Sequence, residues 1–400
     1  MTSPPDRSAG STMVFICMLA NNFTLGLAFA SFGALLVSNE HVLGVARDTI
    51  SFGMSALSTT MGISVLFMGD LVGRLTPRVS IAMGVAAACC AFAGLGLTSS
   101  LPVALAMWAL LGFSAAMAAI LGPVAIAAEY FPGRAGKVLA LVNMPLVLFA
   151  GPWVVTEILP MLGRQGTYLL LASTLLPVLL LVLRLPSSRG RSEDGHGRSP
   201  SVVPAAAILG RSDFWLVTLG IALIACTGTA YTVHAIPFAQ SRGMGVPESA
   251  LIMSAYSGAG LLGVPLFGWL ADRFGAPRTL ALSGLVQCVA WAGLAVAPTA
   301  SFLFLSAALG AATTPLTTLH GTAMAQFFGI DGVGKAMGYS FAIKLPFLFA
   351  ASPAVGYAYV HMADYRPAFL IVAASLVIAM GLLWLGSLGH RPQSHSAIAA

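Results

Sequence analysis

"GWLADRFGAPR" (268–278) closes one long apolar run and leads into another, and "GDLVGRLTPR" (69–78) does the same 199 residues earlier. A short basic turn between two runs, each long enough to cross about 30 Å of hydrocarbon, reads as a hairpin of membrane helices. Its return after about 200 residues reads as an internal duplication.

Other segments keep the same order. "EYFPGRAGK" (129–137) matches "QFFGIDGVGK" (326–335), and "NMPLVLFAGP" (143–152) matches "KLPFLFAASP" (344–353) without a gap, both prolines in register. Arg47 corresponds to Arg242, and Arg164 to Arg366. Runs of about 20 mostly apolar residues fall at 13–37, 49–69, 79–98, 101–128, 136–159 and 167–185, then at 214–238, 249–270, 279–297, 301–326, 336–360 and 368–388. The expected fold is an all-α membrane protein with twelve transmembrane helices in two pseudo-symmetric six-helix bundles. Residues 1–185 form the N-terminal bundle, 186–212 a cytoplasmic linker and 213–400 the C-terminal bundle. "PSSRGRSEDGHGRSP" (186–200) has no apolar periodicity and reads as flexible linker. Ser212 or Asp213 can cap the seventh span.

Composition agrees. Of 400 residues, 58% are hydrophobic and 8% charged, against roughly 25% charged in a soluble domain, and the mean hydropathy is +0.90. Such a chain cannot cover itself with polar surface, so the bilayer is its solvent. The net charge of +6 follows topology rather than a nucleic-acid partner. Fourteen basic residues, from Arg7 to Arg391, lie on the side of the termini, and only Arg47, Arg164, Arg242 and Arg366 on the other. That bias puts both termini in the cytoplasm of an inner-membrane protein. The first apolar stretch exceeds a signal-peptide core of about 7–15 residues, so an uncleaved first span is expected. Cys17, Cys89, Cys90, Cys226 and Cys288 all lie in apolar stretches without metal-ligand spacing or disulfide logic and read as small core residues. No nucleophile–base pair, metal cluster or phosphate loop occurs, so neither enzymatic chemistry nor a metal or cofactor is expected.

The nineteenth basic residue, Lys344, lies deep in a span. It is about nine residues in, hence about 13 Å from the inner face at 1.5 Å per residue. An ammonium there is costly and marks a functional candidate. It faces a central cavity and attracts an anion, or it binds carbonyls freed by proline: Pro346 removes the hydrogen bond to the Ala342 carbonyl, and Pro353 the one to Phe349. His320 sits at similar depth and can bind substrate, exchange a proton near neutral pH or join two helices. His234, nearer the outer end of the seventh span, is a candidate for an outer gate. Asn143 occupies the repeat position of Lys344, and Asn21 and Asn22 interrupt the first span. Such amides orient a ligand or glue helices together. Tyr231 and Tyr256 flank the expected cavity and can contact substrate or pack the core. Acids are confined to the span ends, as Asp70, Glu129, Glu157 and Asp272 show. Lys344 and His320 are therefore the better proton carriers, and anion and proton binding there would favour each other reciprocally.

The turn at 268–278 resembles the major facilitator superfamily, whose loop between the second and third spans of each half reads Gly-x-x-x-Asp-Arg-x-Gly followed by basic residues. Gly268, Asp272, Arg273, Gly275 and Arg278 fit; the first copy keeps Gly69 and Arg74 but has Gly73 for the acid and Thr76 for the second glycine. Glycine there allows close helix approach, and the charges can latch neighbouring helix ends or simply fix topology. Arg74, Glu129 and Arg134 are further gating candidates. Within the superfamily, "RSDFWLV", "HAIPFAQSRG" (234–243), "EYFPGRAGK" and Lys344 are similar to the monocarboxylate and oxalate/formate transporter group. That resemblance implies an organic anion bound between the halves and coupling to protons. The eighth span lacks the Arg of carboxylate-handling members, which argues against a dicarboxylate. The fifth-span antiporter glycines are reduced to Gly151 and Pro152, which argues against a multidrug exporter.

The function expected is secondary transport of a small monocarboxylate-type anion with proton symport, by alternating access, in a monomer without nucleic-acid partners. The rival readings are an exporter of amphiphilic or cationic compounds and a membrane receptor that does not transport.

Overall fold

The computed structural model describes residues 7–131, 135–185 and 204–388. Among them every element is helical. Eleven helices are long and apolar enough to cross a membrane. One of them, Leu146–Val182, has 37 residues, about 55 Å of helix and too long for a single crossing. At Gly163 its backbone leaves helical values (φ 63, ψ 179), a left-handed φ that glycine adopts without strain. The neighbouring Arg164 is buried, bonding the Asn39 side chain (2.7 Å) and the Thr98 carbonyl (3.1 Å). This segment is two crossings, and the total is twelve.

In chain order the spans are α1 (Gly10–Ala34), α2 (Arg47–Met68), α3 (Pro77–Leu97), α4 (Leu101–Ala127), α5 (146–162) and α6 (164–182) in the first bundle. The second bundle holds α7 (Ser212–Ser241), α8 (Val246–Phe274), α9 (Ala276–Val296), α10 (Thr299–Phe328), α11 (Lys335–Met362) and α12 (Arg366–Leu388). Residues 186–203 of the expected linker lie outside the described residues. Its last part is a short helix, Ala205–Leu209, whose Leu209 carbonyl accepts from the Trp215 indole (2.7 Å). Asp213 pairs with Arg211 and accepts from the Phe214 amide (2.8 Å).

The bundles meet along α2 with α11, α1 with α7 and α5 with α8. Their contacts run from Asp48 against Gly356, at the end carrying Arg47, to Gly62 against Leu345 near mid-span. The molecule is therefore closed at the Arg47 end.

Two expectations need correction, and the prolines of the two copies do not act alike. Asn143–Pro145 lies outside any helix, between Ala135–Val142 and α5, whereas the helix runs unbroken through Lys344–Pro346. The difference is satisfiability: Asn22 accepts from the Val147 amide (2.9 Å) and donates to the Met144 carbonyl (3.0 Å), so the first break costs little. Gly268 does not serve close helix packing, because a side chain there would meet nothing within 4 Å. The five cysteines are free as expected, but Cys90 is exposed and only Cys17 is fully buried, since α3 turns the Cys90 side outward.

Candidate functional site

Lys344 projects from α11 and is 5% exposed. Its Nζ lies 3.1 Å from Nδ1 of His320, on α10, and 3.8 Å from the ring centroid of Phe341. The other imidazole nitrogen, Nε2, is 2.8 Å from Oγ of the fully buried Ser340. An ammonium only donates, so Nδ1 is assigned as the acceptor, and Nε2–H then donates to Ser340. Helical spacing explains half of this cluster: Ser340 and Phe341 precede Lys344 by four and three residues and so share its face. His320 is supplied by the tertiary fold. Among the described residues no carboxylate pairs with Lys344; the acids in ion pairs are Glu40, Asp213 and Asp364. The site is a buried cation held by a neutral histidine and an aromatic face, with no carboxylate partner among the described residues.

The first bundle places an uncharged counterpart at the repeat position. Asn21 donates to the Asn143 side chain (2.9 Å) and to the Ala119 carbonyl (3.1 Å). Residue 119 precedes His320 by the same 201 positions that separate Asn143 from Lys344. Two spans here relax into π-helical turns, at Asn22–Gly26 and Ala116–Leu121, local irregularities that often mark functional sites. Asn22 is used to cap the broken strand of backbone at Met144–Val147.

A second polar cluster joins the bundles at the closed end. Arg47 forks onto Glu40 (2.6 and 3.1 Å), covers the Tyr359 ring (4.3 Å) and donates to the Tyr365 hydroxyl (3.0 Å). That hydroxyl lies 3.3 Å from His234 Nδ1, whose Nε2 is 2.9 Å from the Ser352 carbonyl. Burial pushes the Tyr365 hydroxyl well above its ordinary pKa, against the pull of Arg47, so it stays protonated and can donate to Nδ1. Beside this cluster the hydroxyl of Ser55 on α2 donates to the Phe349 carbonyl on α11. His234 thus sits in the seam, apart from the Lys344–His320 pair in its hydrogen bonds.

The Tyr231 and Tyr256 rings pack at a tilt with centroids 4.9 Å apart inside the second bundle, and Tyr231 bonds Ser306 and meets Trp291 edge-on. Their polar atoms are turned to core partners rather than to Lys344. In the basic turn, Asp272, Arg273 and Arg278 are exposed, Arg273 lies near the Trp269 and Phe274 rings, and Gly275 takes a left-handed φ of 86°. The Ala276 amide beside it donates to Gln326 (3.2 Å). The side chains of Arg74 and Glu129, and all of Arg134, lie outside the described residues. The sequence reading missed Ser340, Ser55 and the Glu40–Arg47–Tyr365 chain. Only Ser340 carried a signal, its four-residue spacing from Lys344. No group of three or more metal-ligating side chains occurs among the described residues.

The family model of the Major Facilitator Superfamily matches residues 14–250 and 218–399. No curated protein matches the chain significantly. The fold is similar to a bacterial homolog of the human lysosomal transporter Spinster, in an inward-facing and unoccupied conformation (14% identity, TM-score 0.77, 96% of this chain and 98% of that one). It is also similar to a D-xylose–proton symporter (14%, TM-score 0.71, 94% and 97%) and to the nucleoside transporter NupG (12%, TM-score 0.72, 95% and 100%). At these identities the likeness is one of fold.

Proposed function

The chain belongs to the Major Facilitator Superfamily, a family of transporters, and from that premise we propose that it carries a small organic anion of the monocarboxylate type together with a proton. It works by alternating access in the cell membrane, with both termini cytoplasmic, and the closed Arg47 end is the outer one. The observation that carries this reading is the ammonium of Lys344, buried near mid-span with a histidine and a ring for company and no carboxylate partner among the described residues. An unneutralised charge at that depth costs about 3 kcal/mol or more, which an arriving carboxylate offsets. One carboxylate suffices, because Lys344 is the one cation of this cluster among the described residues.

His320 supports the proton half of the reading. It accepts from Lys344 at one nitrogen and is anchored by Ser340 at the other. A carboxylate that draws Lys344 away frees Nδ1 to take a proton, so anion and proton bind with mutual reinforcement. The gate residues Asp272, Arg273 and Arg278 then belong to the inner end.

Uptake of labelled monocarboxylates into proteoliposomes tests the proposal. Lys344→Ala and Lys344→Met are expected to abolish uptake, while Lys344→Arg retains part of it. Wild-type uptake by Lys344→Ala removes the anion anchor. Stabilisation of the wild type by cationic amphiphiles and not by carboxylates would establish an exporter instead, and binding without counterflow a receptor.

A further inference from the structure

A groove of about 440 Å³ opens between α9 and α12, on the flank of the second bundle rather than between the halves. Arg278, Leu282 and Leu285 line one wall, and Met380, Gly381 and Trp384 the other. Residues 278 and 285 are seven apart, so the groove runs about 10 Å along α9 from its first turn. Its walls are apolar and face outward: Leu282, Leu285 and Trp384 are 40%, 47% and 55% exposed. On a membrane helix such a surface faces acyl chains, not water.

Two features make this more than bare lipid-facing surface. Arg278, at the mouth, is exposed and has no ion pair among the described residues, and it lies at the helix end where Arg211, Arg273 and Lys335 also lie. Trp384, in the last turns of α12, stands beside it, where indole rings settle at the headgroup level. Deeper in, a side chain added at Gly381 would meet no atom within 4 Å. The small residue leaves a trough, and the trough leads from a lone guanidinium into hydrocarbon.

We infer that this groove is a binding site for an anionic phospholipid of the leaflet on the Arg278 side. The headgroup phosphate takes the Arg278 guanidinium, and one acyl chain lies in the trough over Gly381 between Leu285 and Met380. A zwitterionic lipid fits the trough equally but brings its own ammonium to the mouth. One basic residue at the surface is worth about 1 kcal/mol towards an anionic lipid, hence a preference of about fivefold.

Native mass spectrometry of the delipidated full-length protein, offered phosphatidylglycerol and phosphatidylcholine with identical acyl chains, tests this. The wild type is expected to retain phosphatidylglycerol about fivefold over phosphatidylcholine. Arg278→Gln should equalise the two, whereas Arg273→Gln should not. Gly381→Leu fills the trough and should reduce retention of both lipids with the melting temperature unchanged. The proposal is overturned if the wild type shows no preference, if Arg273→Gln alone removes it, or if both Arg278→Gln and Gly381→Leu bind as the wild type does. Displacement of the lipid by excess inorganic phosphate would also overturn it, by showing a phosphate site without a role for the chain.

Discussion

The hydroxyl of Ser55 donates a hydrogen bond to the backbone carbonyl of Phe349, across the seam between the two bundles. The natural intrahelical donor to that carbonyl is residue 353, which is proline and has no N–H. A helix interruption inside one bundle has become an acceptor for the other. Both partners are in the closed end of the molecule, so the bond exists in this conformation and must break when the bundles part.

Ser55→Ala removes the donor from the Phe349 carbonyl, at a cost of about 0.5–1.5 kcal/mol to the closed state. Spin labels at Val42 and Met362, both exposed at this end, should report a smaller closed fraction by double electron–electron resonance. Pro353→Ala restores the missing N–H, so Ser55→Ala should cost less in that background. Strict additivity of the two changes would show that proline does not create the acceptor.

Arg47 holds Glu40 in a two-pronged contact while reaching Tyr365 on the other bundle. Lysine offers one point charge and cannot span both partners. Arg47→Lys is expected to accelerate amide hydrogen exchange in residues 358–366, and Tyr365→Phe to do the same by unpairing His234 Nδ1. Unchanged exchange in both would remove this cluster from the seal.

Ser340 is a positioning residue for His320, which it bonds at Nε2. Ser340→Ala leaves a buried N–H without an acceptor, at about 1–3 kcal/mol, and lets the ring choose the other tautomer. The expected result is a raised KM for the anion and a shifted pH profile of transport. A loss of thermal stability alone, with KM and pH profile intact, would assign Ser340 to packing.

Asn143 has a different place. Its side chain is tied to Asn21, so Asn143→Leu should lower stability by about 0.5–1.5 kcal/mol while leaving the preference for anions over cations unchanged. A change of charge preference on this substitution would bring Asn143 into the substrate site.

The twelve crossings and their pairing into halves were legible because apolar length and basic turns are local signals. The 37-residue helix shows why: length forced two crossings, and Gly163 supplied the bend. Lys344 was legible for the opposite reason, since a lone charge in apolar sequence stands out. Its companions were less so. Ser340 lies one helical turn away and follows from spacing, but His320 comes from another helix, and no periodicity predicts that approach. The placement of His234 in the bundle seam, and of Tyr231 and Tyr256 on core partners, likewise depends on which way each helix is turned.

The sequence by itself determined the solvent, the duplication and the place of the costly charge, because each follows from composition or from order along one chain. The tertiary structure decided what the repeated prolines do. Pro145 breaks a helix because Asn22 of another span satisfies the broken backbone. Pro346 lies within a continuous helix, and Pro353 hands its orphaned carbonyl to Ser55. A freed backbone group must find a partner, and which partner stands within reach is fixed only when the helices are packed.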